Sequence, residues 1–315
     1  MALGRWFGQR VASTDRIGIV VGPQGLVGAR VAFPEGSAGR PRLLGIATYP
    51  SGSESDWGDG MRKLARDLSA QHLITTVVPH AQLVSLLQLS APPTPPAERA
   101  GALKFRAREV SQIPVEDMLL DYLDVPGTRA RGAEPPTYCA IASRERMTLL
   151  RDAVLGAGMQ MEAIDVADMA LCHLVGRTAG EAETVAALML GNQGVRFVIV
   201  HQRSLSLFRS STLNAEHFRD SLADHVDQLL LEVQRTIDFY ESHYTTAPPK
   251  RLLVMPDWPF NQALVDALEP SLRVRPERFV LSEAIASAEL ATGPAPDLAL
   301  LAIGAALRPD TGVSA

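Results

Sequence analysis

The same run of elements occurs twice in this chain, and no other feature limits its fold as strongly. Residues 16–21 (RIGIVV) and 27–33 (VGARVAF) read as two strands about a glycine loop, and a third strand follows near 42–48 (RLLGIAT). The pattern restarts at 185 with VAALML, the tight loop GNQG, and two further strands, VRFVIV and SLSLFRS, divided by the turn HQR. A strand–glycine loop–strand–strand unit at 16–48 and again at 184–212 predicts two homologous subdomains facing each other. Strands and helices alternate elsewhere, so the fold class is α/β.

The rest of the chain is organised around these two units. WGDGMRKLARDLSAQH is a helix with Met61, Leu64 and Leu68 on one face, and LITTVVP (73–79) is a buried strand. APPTPPAE then marks a boundary, because its four prolines cannot sit inside a helix or a central strand. A helix over about 97–111, strands at 118–125 and 137–143, and a helix N-capped by Ser143 and ended by glycines predict a compact α/β insert over 91–160. The first subdomain takes 15–90 and 161–179, and residues 1–14 form a separate N-terminal segment. The second half takes 180–315, with one long helix over 214–243 that keeps Leu222, Val226, Leu229, Val233 and Ile237 on one side. DLALLAIGAALR reads as a buried closing helix.

Composition excludes several classes. Apolar residues make up 46% of the chain and charged residues 21%, which supports real cores rather than disorder. A net charge of −5 argues against a generic nucleic-acid binder. Cys139 and Cys172 show neither metal-ligand spacing nor a disulfide framework, and both are expected as buried thiols in a reducing compartment. MALGRWFGQRVAS lacks the apolar core of a signal peptide, and no window approaches the roughly 20 apolar residues of a membrane span. The chain is therefore expected to be cytoplasmic, reaching a membrane peripherally or through a partner. Leu3, Trp6, Phe7 and Val11 fall on one helical face beside Arg5 and Arg10, a pattern shared by interfacial anchors and by frayed terminal segments. His217 and His225 sit two helical turns apart with no adjacent ligand, and Asp220, Asp224 and Asp227 read as a solvated helix face.

The glycine loops raise the chemical question. GIVVGPQGLVG places Gly22, Gly25 and Gly28 after an apolar strand, and GNQG places Gly191, Asn192 and Gly194 at the matching point of the second unit. Glycine allows close backbone approach to a phosphate, so such loops begin many phosphate cradles. Neither loop, however, carries an acid, a lysine or a hydroxyl.

Duplicated halves that each open with such a hairpin resemble the actin-like ATPase fold. With the insert, the chain is similar to the PilM family of type IV pilus assembly proteins, and within it to the MshI-type branch of the mannose-sensitive (MSHA) pilus system. Four stretches carry the likeness: ALKFRAREVSQIPVEDMLLDY, CAIASRERMTLLRDAVLGAGMQMEAIDVADMAL, LLLEVQRTIDFYESHY and LALLAIGAALR. Together they span about Arg16 to Arg308. The family's first phosphate loop reads like G-I-D-I-G-S-S-x-V-K; here Gly18 and Gly22 match, while Val20, Pro23, Gln24 and Val27 replace the acid, the serines and the lysine. In the second loop Gly191 matches, but Met189 stands for the acid and Gly194 and Val195 for the threonines. In the third, Met255, Pro256 and Asp257 stand where glycines pack on adenosine.

The resemblance thus implies a pseudo-ATPase whose nucleotide loops, at Gly22, Gly25, Gly191, Asn192 and Gly194, are vestigial. No cofactor and no metal is expected; Mg with ATP or ADP is the alternative. It also implies a scaffold at the cytoplasmic face of the bacterial inner membrane that takes the cytoplasmic tail of a PilN-like bitopic protein, with an assembly ATPase as a further partner. In PilM relatives that tail lies in a groove beside the insert, which places Phe105, Arg108, Ile113 and Pro114 near it here. The basic residues Arg99, Lys104, Arg106 and Arg108 read either as a solvated helix face or as a docking site for an acidic segment, and the resemblance favours the second. Two rivals stay open: an actin-like component of a type II secretion platform, and a working enzyme of the sugar kinase/ATPase superfamily.

Overall fold

The computed structural model describes residues 15–34, 39–90, 94–125, 127–128, 136–286 and 295–309. The segment 1–14, with its amphipathic pattern, lies outside them.

The first half contains β1 (Arg16–Gly22), β2 (Gly25–Ala32), β3 (Arg42–Pro50), α1 (Trp57–Asp67), β4 (Ile74–Pro79), β5 (Val84–Ser90), α2 (Pro96–Ala107), β6 (Met118–Asp124), β7 (Pro136–Ser143), α3 (Arg144–Gly156), β8 (Gln160–Ile164) and α4 (Ala167–Val175). The second contains β9 (Thr184–Gly191), β10 (Gly194–His201), β11 (Ser204–Ser211), α5 (Ala215–Asp220), α6 (Leu222–His243), β12 (Arg251–Met255), α7 (Asn261–Leu268), β13 (Arg275–Arg278), α8 (Leu281–Ala284) and α9 (Pro296–Ala306). One five-stranded sheet has the order β3-β2-β1-β4-β8 and the other β11-β10-β9-β12-β13. In each, the first three strands are antiparallel and the last three parallel. The repeat read from the sequence is therefore a repeat of topology.

Side-chain alternation along β1 sorts the layers. Ile17, Ile19 and Val21 enter a core with Met61 and Leu64 of α1 and Leu150 and Val154 of α3. Val20 points the other way, into a larger core shared by both halves and built around α4 and α9. These two helices run between the sheets and touch closely. A Cβ at Gly304 would stand 2.1 Å from the Ala170 carbonyl oxygen, and one at Gly18 would stand 1.9 Å from that of Ala302. Only glycine fits at either contact, so Gly18 is explained by packing.

The structure changes three expectations. The insert is not bounded at 91 and 160. β5, which precedes the prolines, is an edge of a three-stranded sheet β5-β7-β6, and α2 covers that sheet through Leu103 and Ala107. α3 packs instead with the first sheet's core through Met147, Leu150 and Val154. Ser143 does stand at its N-cap position, yet makes no side-chain capping bond. Second, the helix expected over 214–243 is broken at Ser221, which is extended at φ −154° and ψ 102°. A capping box of Asn214 and His217 starts α5 separately. Third, that break brings His217 and His225 together, with ring centroids 5.0 Å apart. Among the described residues no group of three or more His, Cys, Asp or Glu side chains could hold a metal ion. Cys139 and Cys172 are buried and free, and burial pushes their thiols up to about 11 and about 12.

The insert also reaches the second half. Tyr138 of β7 is fully buried, its hydroxyl donates to the Ser206 carbonyl at 3.1 Å, and its ring meets Phe208 edge-on at 4.8 Å. The Tyr244 hydroxyl donates to that same carbonyl at 2.7 Å. The insert sheet is thus fixed to β11 across the mouth of the space between the halves.

Candidate functional site

The two glycine hairpins open on one cleft of about 440 Å3 between the halves, with β5 of the insert along one side. Gly22 lines it from the first hairpin, and Gly191, Gln193 and Gly194 line it from the second. Val20 and Met189, where the resemblance places acids, also line it. Gly25 instead faces β3, where an added Cβ would meet the Tyr49 carbonyl oxygen at 2.3 Å. Gly194 holds φ +140°, and an added Cβ there would meet the Ser211 carbonyl oxygen at 2.7 Å. Each hairpin needs its second glycine because the end of the third strand of the unit, paired alongside in the same sheet, comes close to it.

The charged groups Asp168, Asp297 and Arg196 of this cleft come from two helices and a strand rather than from the glycine loops. Asp168, in the first turn of α4, is buried with 5% of its side chain exposed and takes both its bonds from Arg196 of β10, at 3.1 and 3.0 Å. Asp297, in the first turn of α9, accepts the Asn192 backbone N–H at 3.1 Å through Oδ2, while its buried Oδ1 has no bonding partner among the described residues. Both acids sit at helix N-termini, where a negative charge is favoured. Burial still raises the Asp297 carboxyl above its ordinary 3.8, ahead of the opposing N–H bonds.

That shift gives a pH prediction. The folded state holds the Asp297 proton more tightly than the unfolded chain does, so stability falls as pH rises above the ordinary carboxyl range. Asp297→Asn removes this loss and keeps an acceptor for the Asn192 N–H. The variant is expected to melt higher than the parent at pH 7, with the difference shrinking as pH is lowered toward the ordinary 3.8. Melting curves across that range check it.

The third loop turns away from the cleft. Asp257 is held by Arg278 at 2.6 and 2.7 Å, and Trp258 donates its indole N–H to the Leu190 carbonyl at 2.8 Å. Phe260 stacks beside Trp258, and Arg219 lies over that ring at 5.3 Å.

The residues assigned to partner binding are partly brought together. Phe105 is 58% exposed on the outer face of α2, and the Arg108 guanidinium lies over its ring at 4.5 Å. Val110, two residues on, is 62% exposed. Pro114 is exposed, but Ile113 is half-buried against the insert core. Arg99 leaves the basic cluster: it pairs with Asp124, bonds Thr137 and lies over Tyr122. Asp168, Arg196 and Asp297 were not singled out in the sequence. Their only signal there is an acid in the first turn of each of two apolar helices, a common helix feature.

No family model matches the chain, and no curated protein matches it. Solved structures do. Over 93% of this chain and 99% of the other, it superposes with TM-score 0.67 and 17% identity on a structure described as the PilM-PilN type IV pilus biogenesis complex. The cytoplasmic domain of EpsL, an inner-membrane component of the type II secretion system of Vibrio cholerae, matches with TM-score 0.53 and 10% identity, over 86% of this chain and 92% of that one. A Bacteroides thetaiotaomicron protein with an actin-like ATPase fold and unknown function matches with TM-score 0.51 and 8% identity, over 85% and 91%. Among the described residues no helix is long and apolar enough to cross a membrane. Two sheets of one topology, two central helices and these neighbours establish that the chain has the actin-like ATPase fold.

Proposed function

We propose that this protein is a non-catalytic scaffold of a type IV pilus assembly platform, of the MSHA type, which works at the cytoplasmic face of the inner membrane. It binds the cytoplasmic tail of a PilN-like protein, and an assembly ATPase is its second partner. The observation that carries the binding role is the exposed apolar and cationic surface at the end of α2 and just beyond it, where Phe105, Arg108 and Val110 stand. An exposed aromatic under a guanidinium suits an extended peptide with apolar and acidic side chains. A likeness to a structure of PilM with PilN supports the same reading.

The cleft supports the non-catalytic part. Mg-nucleotide binding needs free hard-oxygen ligands for the metal and free cations or amides for the phosphates. Here the Arg196 guanidinium is bound to Asp168, and the Asn192 amide is bound to the Asp297 carboxylate. Asp297 Oδ1 is an oxygen that a metal could take, but the Arg196 guanidinium and the Asn192 amide are not free for the phosphates, so we read the loops at Gly22, Gly25, Gly191, Asn192 and Gly194 as hairpin turns. A scaffold role in a type II secretion platform is the second reading, favoured by the likeness to the EpsL cytoplasmic domain.

One calorimetric series tests this. A synthetic tail peptide from the PilN-like protein of the same cell is expected to bind, and Phe105→Ala with Arg108→Glu is expected to abolish binding with the melting temperature unchanged. Mg-ATP at millimolar concentration is expected to give no heat. Equal peptide affinity in the double variant overturns the docking face. Saturable Mg-ATP heat overturns the vestigial cleft.

A further inference from the structure

The end of the molecule opposite the glycine cleft holds a second cavity, of about 380 Å3. It lies where α4 and α9 end, against the start of β1 and the β10–β11 turn. Four arginines line it: Arg16, Arg177, Arg203 and Arg308. Two of these are matched by acids. Arg308 pairs with Asp165 at 2.7 Å and Arg16 with Glu162 at 3.7 Å. Asp15, the acid on the cavity wall, is itself bound to Arg30 at 2.5 Å. Among the described residues, Arg177 and Arg203 have no carboxylate within ion-pair distance.

Helix ends explain part of this. Arg177 and Arg308 follow the C-termini of α4 and α9, where a positive charge is favoured. Arg203 has no such reason to be there. It belongs to the two-residue turn of the β10–β11 hairpin, with Gln202 at φ +49° and Arg203 at φ +61°. Such turns favour asparagine and glycine, because other residues are strained with positive φ. An arginine at a strained turn position, facing another arginine, invites a functional explanation. Its backbone is also pinned: a Cβ at Gly176 would stand 3.2 Å from the Arg203 Cα. The turn of the second half is thus seated against the end of α4.

A further observation points to a missing negative partner. Burial first, then the like charges of Arg203 and Arg40, hold the Arg177 guanidinium below its ordinary range, as expected for crowded cations. His173 also lines the cavity; its side chain is 6% exposed, and its Nδ1 faces the Asp165 carboxylate at 3.8 Å, so it already has a negative neighbour. Two guanidiniums without a carboxylate partner among the described residues and the aromatic wall of Phe33 line one space.

We propose that this cavity binds a small phosphate-bearing anion, clasped between Arg177 and Arg203 where the two halves meet. Planar guanidiniums match phosphate oxygens in paired, charge-assisted bonds. The volume is in the range of small-molecule sites. A bound anion would cancel the repulsion between the two arginines and tie the β10–β11 turn to α4.

Inorganic pyrophosphate is the probe, titrated calorimetrically at low salt with melting temperature followed in parallel. The parent protein is expected to give saturable heat and to melt higher with pyrophosphate. Arg177→Gln with Arg203→Gln should bind about tenfold more weakly or worse, whereas Arg235→Gln, an exposed arginine on α6, should bind as the parent does. Circular dichroism checks that each variant is folded. If the double variant is not, Arg203→Gln alone, at an exposed turn, serves in its place. No saturable response from the parent at millimolar pyrophosphate overturns the site. A response that survives both substitutions overturns it too, and places the anion elsewhere, the glycine cleft included.

Discussion

Gly18→Ala is expected to leave little folded protein, although it adds a single methyl group. The new Cβ would stand 1.9 Å from the Ala302 carbonyl oxygen and 2.5 Å from the Ala306 nitrogen, both backbone atoms of α9. Backbone in a buried helix cannot swing aside as a side chain can, so the helix must leave β1. α9 is buried almost throughout and lies in the core shared by both halves. Overpacking in cores typically costs about 1–3 kcal/mol, and a clash with fixed backbone belongs at or above the top of that range. Gly304→Ala should behave alike, because its Cβ would meet the Ala170 carbonyl oxygen at 2.1 Å. The controls are Gly101→Ala and Gly156→Ala, where an added Cβ meets nothing within 4 Å. Gly101 sits inside α2, so alanine there should stabilise by roughly 0.5–1 kcal/mol. Soluble yield and chemical denaturation of the four variants measure the contrast. A Gly18→Ala protein within about 1 kcal/mol of the parent would mean that β1 and α9 are not in contact as described.

That contrast bears on what a sequence can reveal. Gly18 matches the first phosphate loop of the resembling family, and on the linear chain a loop glycine and a packing glycine look alike. The repeat was legible because it rests on local signals: apolar strands broken by glycines at equal spacing. β5 was less so, since VSLLQLS stands directly before the proline boundary and pairs with β7, about 50 residues away. The break at Ser221 was hidden because LADHVDQLL continues the helical pattern of AEHFRD with no glycine or proline. The cleft was hardest to see. The Asn192 amide and its acceptor Asp297 are 105 positions apart, and nothing local to either marks the pair. The rear cavity draws its arginines from positions 16, 177, 203 and 308. Only the fold turns such scattered residues into a site.

Arg196→Met is expected to be the most damaging single change in the glycine cleft. It keeps the length and apolar stem of the side chain and removes the charge. Asp168 would then be a carboxylate with 5% of its side chain exposed and no cation beside it. Removing one partner of a buried ion pair costs about 3–5 kcal/mol, because the other charge stays desolvated. The N-terminus of α4 offsets part of this, which favours the lower end, about 3 kcal/mol. Arg196→Lys should lose less, since it keeps the charge, and Arg196 meets both carboxylate oxygens through the single nitrogen Nη1, which an ammonium can imitate. Asp168→Asn with Arg196→Met should recover most of the loss, because an amide is far less costly to bury than a lone carboxylate. Chemical denaturation of these variants forms a double-mutant cycle whose coupling energy measures the pair. Strong coupling means that the cleft's cation is committed to the fold and cannot also serve a phosphate. Coupling under about 0.5 kcal/mol would mean that Arg196 is held loosely and free to meet an incoming anion, and the case against a nucleotide would then rest on Asp297 alone.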